Sequence, residues 1–479
     1  MNEKNPITLK KEDVITLAVT DLNNLGCGVG RAEGDGRVVF VKGAVSGDFV
    51  RAKIIKVNQS FCVARLLEIL TPSPIRMESA FCDAPEACGG CVYRHVTYEH
   101  ELSLKREYVE VAFRKAGLGD VTVLPTLSTG KITHYRNKGQ YPVTRTKDGI
   151  RAGFFASKSH HIIPSEHCAI QSERFAPIVA WICSFAEAHG WSVYDEESGR
   201  GLLRHIYLRV GEKTGQVMVC LVINGETLPD AEGFVCALTE QFPEVVSVLL
   251  NHNRANTNVV LGKKFTVLRG SASIEDELCG VRFSVSADSF YQVNRDGAEL
   301  LYTKAAELAD LKGGELLCDL YCGAGTIGLS ILSLSKTSTF SLVGASKNVA
   351  RLIGVELVGA AVECAKENAR RNGIENAEFY CGDASSKEMI LSCTGGKTPD
   401  VVVIDPPRKG STKELVECLS ELGVRKIVYV SCNPDTLARD CAWFAEMGYA
   451  IGEVVPVDMF PRTGHVESVV CLTRPDKST

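Results

Sequence analysis

The chain has 479 residues, too many for a single hydrophobic core, so about two to four domains are expected. Its net charge of -5 argues against indiscriminate coating of nucleic acid, and no apolar run is long enough to cross a bilayer. The first residues lack the apolar core of a secretory signal, and 19 cysteines at irregular spacing favour a reducing compartment. We therefore expect a cytoplasmic protein without a membrane partner.

Residues 1–70 are predicted to form a small closed β-barrel of the OB type, because short alternating apolar runs are separated by glycine-rich turns. The order Asn24-Leu25-Gly26-x-Gly28-x-Gly30-Arg31, followed by Gly43-Ala44 and Gly47-Asp48, resembles the TRAM RNA-binding domain. Such barrels often bind single-stranded nucleic acid, although a purely structural barrel fits the pattern equally well. Positive charge comes from Arg31, Arg37, Lys42, Arg51, Lys53 and Lys56.

The second predicted domain, residues 71–285, is α+β and begins with a cluster of cysteines. Cys82, Cys88 and Cys91 lie within ten residues, and glycines at 89 and 90 let the backbone wrap around a ligand. Thiolates of this kind suit tetrahedral zinc or an iron–sulfur cluster. The spacing departs from the paired CxxC pattern of zinc ribbons and favours iron–sulfur, whereas three unpaired surface thiols are the plain alternative.

Two further features of this domain indicate packing and RNA contact. Helical spacing predicts a helix over about residues 98–117 that docks on the C-terminal domain, with Leu102, Leu104, Tyr108, Val111, Ala112 and Phe113 available for burial. A basic run with interleaved aromatic residues suits phosphate contact and base stacking, or else a solvated strand face. Its cations are Lys131, Arg136, Lys138, Arg145, Lys147 and Arg151.

Residues 286–479 alternate strands and helices, which predicts a parallel, doubly wound α/β sheet of the Rossmann-like kind. A Gly323-x-Gly325-x-x-Gly328 turn follows the first strand, and Glu356 ends the second, where it can accept bonds from ribose hydroxyls. This layout permits either a nicotinamide dinucleotide or S-adenosylmethionine (SAM). The rigid Asp405-Pro406-Pro407 at the rim favours SAM and a methyltransferase. The serine-rich residues 332–348 are predicted to be an inserted surface loop.

A cysteine and a glutamate in this domain are the candidate reacting groups. An apolar strand delivers Cys432 to the rim of the sheet, where a thiol can act as a nucleophile, unless it is simply a buried apolar cysteine. We expect the site either to lower the pKa of Cys432 or to deprotonate it when substrate binds. Glu467 begins the final strand, where burial would raise its pKa towards general-base duty. A solvated strand-edge carboxylate is the alternative.

Several motifs in order resemble the bacterial SAM-dependent RNA uracil-5-methyltransferases. They are the cysteine cluster at residues 82–91, Ser289-Phe290-Tyr291-Gln292-Val293-Asn294, Asp319 to Gly325, Asp405 to Gly410, Tyr429 to Pro434, and His465-Val466-Glu467. Together with the TRAM-like barrel, they resemble the 23S ribosomal RNA branch of that family rather than the transfer-RNA branch.

The resemblance implies a role for each motif. Cys82, Cys88, Cys91 and Cys168 would ligate a [4Fe-4S] cluster. SAM or the base pocket would be contacted by Gln292, Tyr321, Gly323, Gly325, Glu356, Asp383 and Asp405. Cys432 would be the nucleophile and Glu467 the proton acceptor in C5 methylation of a 23S rRNA uridine by a monomeric enzyme.

Three alternatives are kept beside this interpretation. The enzyme could methylate cytosine C5 or an exocyclic amine, and the amine reaction needs no thiol. A radical-SAM methylthiotransferase can also carry a TRAM domain, but it spaces its cysteines differently. A zinc-stabilised RNA-binding protein without enzymatic activity would be colourless and would not react with SAM.

Overall fold

The structure is a computed structural model that describes residues 9–77, 82, 84, 87–157, 159–337 and 350–475, with only the backbone of 336 and 337. The N-terminal strands form a closed barrel in the order β1-β2-β3-β5-β4, which confirms the predicted barrel. Alternate residues, such as Val39 and Val41 of β3, fill its interior. The strands are β1 Val14–Leu22, β2 Cys27–Arg31, β3 Val38–Lys42, β4 Phe49–Val57 and β5 Phe61–Thr71.

A helix and a mixed sheet in the order β12-β11-β10-β9-β6-β7-β8 follow the barrel, and β13 pairs with β14 beside them. The helices are α1 Tyr98–Lys115, α2 Phe175–Ala188 and α3 Ala231–Gln241. The strands are β6 Lys138–Thr146, β7 Gly149–Phe155, β8 Ile162–Pro164, β9 Leu203–Val210, β10 Val217–Ile223, β11 Val245–His252, β12 Lys264–Gly270, β13 Ser273–Leu278 and β14 Val281–Ser286.

Strand β10 shows why the middle of this sheet has uninterrupted apolar sequence. Met218 and Cys220 face a core shared with β13 and β14, whereas Val219 and Leu221 face a core shared with α2. Because both faces of the strand are covered, every residue of β10 is buried. The alternating polar pattern of a half-exposed strand is therefore absent here.

The C-terminal sheet runs in the order β17-β16-β15-β18-β19-β22-β20, with β21 also paired to β22. Its helices are α4 Arg295–Ala309, α5 Thr326–Thr337, α6 Gly359–Arg371, α7 Lys387–Thr394, α8 Lys413–Glu421 and α9 Pro434–Glu446. Its strands are β15 Leu316–Leu320, β16 Arg351–Glu356, β17 Ala377–Cys381, β18 Val401–Ile404, β19 Lys426–Ser431, β20 Ala450–Ile451, β21 Val455–Val457 and β22 Glu467–Thr473.

Two expectations for this sheet need correction. The strands from β17 to β19 are parallel, but β22 runs antiparallel to β19, so the sheet is mixed rather than wholly parallel. Helix α5 continues to Thr337 with Leu332 fully buried, so the start of the predicted insertion is a packed helix and not a surface loop. The rest of that insertion, residues 338–348, lies outside the described residues.

Helix α1 has the predicted start, but its buried face carries charge. Lys105 is buried and its Nζ lies 2.7 Å from both the Glu101 carboxylate on the same helix and the Asp458 carboxylate after β21. Val109 and Phe113 pack in the same core as residues of α9. Within the described residues, none of the helices combines the length and apolarity that a membrane crossing requires.

Candidate active site

The predicted site residues of the C-terminal sheet meet at one edge. Tyr321, Asp405 and Cys432 each directly follow the end of a parallel strand, and Glu356 is the last residue of its strand. The strand order reverses between β15 and β18, which places a crevice outside the carboxyl ends of these strands. Since β22 is antiparallel, its first residue, Glu467, starts at this same edge.

The glycine-rich turn after β15 has a left-handed backbone at several positions. Gly323 and Gly325 have φ of 53° and 77°. A Cβ at Gly325 would lie 3.0 Å from the Phe379 ring, so the turn packs closely on one side. A Cβ at Gly323 would meet no atom within 4 Å, so the other side is open. Asp319 beneath the turn is fully buried and accepts a 2.9 Å hydrogen bond from the Gly328 N–H.

The groups around the turn suit an adenosine. The Glu356 carboxylate accepts a 3.2 Å bond from the Gly323 N–H, and beside it Leu357 and Val358 are 72% and 57% exposed. Carboxylate oxygens can bind ribose hydroxyls, and exposed apolar side chains can cover a base. Asp383 is exposed on the same side, and hydrogen bonds from Ser385 hold the pKa of its carboxyl below the usual range.

Gln292 and Tyr321 both lie close to this turn. Gln292 is buried and hydrogen-bonds with the Tyr302 hydroxyl, which also lies 3.4 Å from the Thr326 Oγ1 at the start of α5. Burial raises the pKa of Tyr321, and the negative charge of Asp383 adds to the effect. The predicted cofactor residues therefore lie together near the glycine-rich turn, at the carboxyl edge of the sheet.

Cys432 and Glu467 lie close enough for the charge of Glu467 to act on the Cys432 thiol. Burial, with the charges of Glu467 and Asp405, raises the pKa of the Cys432 thiol to about 11. Of the two expected alternatives, this argues against a lowered pKa in the free site and leaves deprotonation when substrate binds. Burial and the Asp405 charge raise the pKa of Glu467 to about 8, as the sequence predicted. Burial raises the pKa of Asp405 itself to about 7. Arg408 opposes the shifts of Cys432 and Glu467, because a nearby cation favours both anionic forms.

Helix α9 holds the turn that carries Arg408. Asn433 caps the helix and donates a 3.1 Å bond to the Arg408 carbonyl. The Arg439 guanidinium donates to the carbonyls of residues 409 and 411. Buried Asp440 accepts 2.6 Å bonds from the Ser411 N–H and the Tyr429 hydroxyl. Sequence reasoning gave Arg408 no role, because a surface arginine after two prolines has no distinctive local signal.

The segment that leads to Glu467 is held by contacts with residues that are distant in sequence. The backbone N–H of buried Arg462 donates a 2.6 Å bond to Glu101 on α1, and its guanidinium donates a 2.7 Å bond to the Val96 carbonyl. A Cβ at Gly464 would lie 1.7 Å from the Asn24 carbonyl oxygen of the barrel. The β1–β2 turn of the barrel therefore packs directly on the backbone near Glu467.

The four predicted cysteine ligands line one cavity of about 690 Å³. Cys168, distant in sequence, joins Cys82, Cys88 and Cys91 there. Burial and the charges of the other three thiols raise the pKa of Cys91 to about 12. Among the described residues, no three histidine, cysteine or carboxylate side chains are arranged to hold a single metal ion.

Comparisons with known proteins agree with this geometry. Residues 97–475 match the tRNA (uracil-5-)-methyltransferase family model, and residues 10–67 match the TRAM domain. An RNA methyltransferase of Clostridium tetani is 41% identical over 98% of both chains, and one of Bacillus cereus is 39% identical over the full length of both.

A solved structure extends the likeness to the whole fold. The tRNA (uracil-54, C5)-methyltransferase of Pyrococcus abyssi, in complex with S-adenosyl-L-homocysteine, is 28% identical with a TM-score of 0.75, covering 96% of this chain and 100% of that one. This chain therefore belongs to the SAM-dependent RNA uracil-5-methyltransferase family and carries an N-terminal TRAM domain.

Proposed function

We propose that the protein methylates C5 of a uridine in 23S ribosomal RNA through a covalent bond between Cys432 and C6 of the ring. The observation that supports this most directly is the pairing of β19 with β22. Ser431 is opposite Ser468 in the ladder, so the next residues outward, Cys432 and Glu467, leave the sheet at the same point. Asp405 lies within electrostatic reach of both.

This arrangement supplies what C5 methylation needs. The Cys432 thiolate adds to C6, the C5–C6 π electrons move to C5, and an enolate forms. When bound, SAM would supply the electrophilic methyl group for C5, and its S–CH3 bond would break to leave S-adenosylhomocysteine. Glu467 removes the C5 proton, the electron pair re-forms the double bond, and the thiolate leaves. The target atom is inaccessible in a stacked helix, so the uridine must be flipped out of its strand.

Proton positions follow from the pKa values. A thiol with a pKa of about 11 is protonated at neutral pH, so we infer that Cys432 is deprotonated only when the base is bound. Glu467, with a pKa of about 8, is mostly protonated near neutrality and becomes a base as the pH rises. Arg408 favours the anionic form of both groups, and we assign it that role.

Two substitutions test the covalent mechanism. Cys432→Ala should abolish methyl transfer while binding of S-adenosylhomocysteine, measured by calorimetry, persists. Glu467→Gln should accumulate an RNA–protein adduct that survives denaturing electrophoresis, because the ring keeps its C5 proton. Methyl transfer by Cys432→Ala would contradict the mechanism and favour amine methylation.

We also propose that Cys82, Cys88, Cys91 and Cys168 hold a structural [4Fe-4S] cluster. Four thiols around one cavity fit four irons that each take one thiolate, a wider arrangement than the ligands of a single ion. Negative charge on the neighbouring cysteines raises the pKa of Cys91, and binding of a metal cation to the sulfurs offsets this repulsion. Anaerobically purified protein should be brown, with about four irons per chain. Stoichiometric zinc in colourless protein would contradict this proposal.

A transfer RNA is a second candidate for the target RNA. The matched Pyrococcus abyssi structure is of a tRNA (uracil-54, C5)-methyltransferase and covers 96% of this chain, so its likeness extends to the barrel. The barrel thus does not by itself favour ribosomal RNA. Mapping 5-methyluridine in cells that lack this protein decides between them. We expect the loss in 23S rRNA, whereas loss from tRNA would assign the second target.

We further propose that the enzyme is a cytoplasmic monomer in which residues 1–70, 71–285 and 286–479 are the domains. The RNA substrate of the family supports the compartment. The barrel and the α2 face of the middle sheet have cores of their own, which supports the division into domains, whereas the other face of the middle sheet shares a core with the C-terminal sheet. Size-exclusion chromatography with light scattering should give the mass of one chain, and a dimer mass would contradict it.

A further inference from the structure

The basic run at residues 131–151 does not present a uniform charged face. Arg145 forms a 3.0 Å ion pair with Glu187, and Lys131 lies 3.4 Å from Asp296. Arg136 and Lys138 differ from both. They are half-buried, they line the cysteine cavity, and no carboxylate of the described residues is within ion-pair distance of either.

The surroundings of these two cations are themselves positive. The described lining of the cavity includes no Asp or Glu. Arg209 on the neighbouring strand β9 is buried next to Lys138, and its charge acts on Lys138 together with that of Arg136. Partly buried cations without carboxylates are destabilised until an anion reaches them. The arrangement therefore favours an anionic ligand.

The cavity also adjoins the reactive edge of the C-terminal sheet. Asn137, between the two cations, donates hydrogen bonds of 2.8 and 2.9 Å to the Val293 and Gln292 carbonyls. Thr463, in the segment that leads to Glu467, belongs to the cavity lining. An anion held by Arg136 and Lys138 would thus lie next to the crevice where the uridine reacts.

We propose that Arg136 and Lys138 bind backbone phosphates of the RNA strand that carries the target uridine. This proposal rests on the RNA substrate of the family and not on the covalent mechanism. Phosphate contacts fix the register of a strand without reading its sequence. The two cations would hold the strand against the rim while the uridine turns into the crevice.

A competing use of the same charge is compensation of a cluster bound by the four cysteines. That use predicts an effect of substitution on iron content rather than on RNA affinity. The two uses are separated by measuring both quantities on the same variants, purified anaerobically as the full chain.

The first measurement is the affinity for a fluorescein-labelled oligouridine, by anisotropy over a series of KCl concentrations without SAM. Each of Arg136→Gln and Lys138→Gln should weaken binding and lower the slope of log Kd against log salt by about 0.7, the value for one phosphate contact on a single strand. Arg145→Gln is the matched control, on the strand β6 that also carries Lys138, and its slope should not change. Because SAM is omitted, failure of the covalent mechanism leaves the result unaffected.

The second measurement is iron per chain, with Arg136→Lys as the conservative variant that keeps the charge. Unchanged iron in the Gln variants and an unchanged salt slope in Arg136→Lys support the phosphate site. Salt slopes equal to that of the unmodified protein in both Gln variants would overturn it. A loss of iron with unchanged RNA affinity would overturn it too and assign the cations to the cluster. If Arg136→Gln does not fold, Lys138→Gln alone decides between these outcomes.

Discussion

Arg408 lowers the pKa of two reacting side chains that burial and neighbouring carboxylates otherwise raise, Cys432 and Glu467. Its guanidinium is exposed and lies 3.4 Å from the Nδ1 of His465, two residues before Glu467. In the proposed mechanism, a single surface cation thus influences both the attack on C6 and the removal of the C5 proton.

Replacing that cation should shift the pH dependence of methyl transfer. Without Arg408 the pKa of Glu467 rises above about 8, and its base form is lost at a higher pH than in the unmodified enzyme. Arg408→Gln should therefore slow single-turnover methylation at pH 7 by roughly tenfold, the equivalent of about one pKa unit, and recover part of the rate at higher pH. The control is Lys409→Gln, an exposed neighbour. A uniform loss of rate at every pH would contradict this electrostatic role.

Residue-scale prediction succeeded where a side chain belongs to a contiguous motif. Cys432 and Glu467 could be placed at the sheet rim because apolar strands begin or end at them. The raised pKa of the Cys432 thiol could not be predicted, because it depends on burial in the fold and on the charges of Glu467 and Asp405, which come from other strands. The sequence could not show that Arg136 and Lys138 have no carboxylate partner among the described residues. Ion-pair partners come from residues distant in sequence, so local sequence does not indicate which cations are neutralised.

At the scale of elements, hydrogen bonds from helix α9 hold the turn from Pro407 to Ser411 in place. Asp440 connects the helix, the turn and the Tyr429 side chain of β19. Gly410 within the turn has a φ of 79°, and a Cβ there would lie 2.6 Å from the Asp440 carboxylate. The helix and the turn therefore pack too closely for a side chain between them.

Removal of the Asp440 carboxylate should cost stability. Asp440→Ala leaves the Tyr429 hydroxyl and the Ser411 N–H buried without an acceptor, so the free energy of unfolding should fall by about 3 kcal/mol. Glu446→Ala, at the exposed end of the same helix, should change it by less than about 0.5 kcal/mol. Urea denaturation monitored by circular dichroism measures both. Equally small effects of the two substitutions would show that the Asp440 hydrogen bonds contribute little to the free energy of unfolding.

Helix α1 shows which features of an element cannot be predicted from its local sequence. Its start at Tyr98 agrees with the spacing of apolar residues, whereas it ends at Lys115, two residues before the predicted end. Leu104, Ala112 and Phe113 are buried as predicted. Leu102, Tyr108 and Val111 are only partly buried, while Glu101 and Lys105 are enclosed. The carboxylate that makes burial of Lys105 acceptable is Asp458, 353 residues away, so no local pattern could predict it.

At the scale of the molecule, the barrel contacts the catalytic segment. The β1–β2 turn lies against Gly464 through the Asn24 carbonyl and against Val92 near the cysteines. The Tyr93 hydroxyl donates a 3.3 Å bond to the Asn23 carbonyl. The RNA-binding domain thus contributes to the support of the loop before Glu467, which the sequence did not indicate.

A methyl group at that contact should force the two parts to separate. In Gly464→Ala the new Cβ would meet the Asn24 oxygen at 1.7 Å, so the barrel turn or the loop must move. We expect a fall in kcat/KM for RNA of roughly a hundredfold, the order of loss that small misplacements cause, with binding of S-adenosylhomocysteine retained. Gly119→Ala, whose Cβ would meet its nearest neighbour at 3.8 Å, is the control. Full activity of Gly464→Ala would show that this contact is dispensable.

The antiparallel course of β22 has a consequence for how such enzymes can diverge. Thiol and carboxylate are spaced by the hydrogen-bond ladder of two neighbouring strands and not by any connecting loop. Segments that choose the RNA can therefore change in length or sequence without changing the spacing of the proposed reacting pair, as long as the loop before Glu467 keeps its support from the barrel turn. A designer could graft a new recognition module onto this sheet and keep the chemistry intact, provided that the strand register and the packing against Gly464 are both preserved.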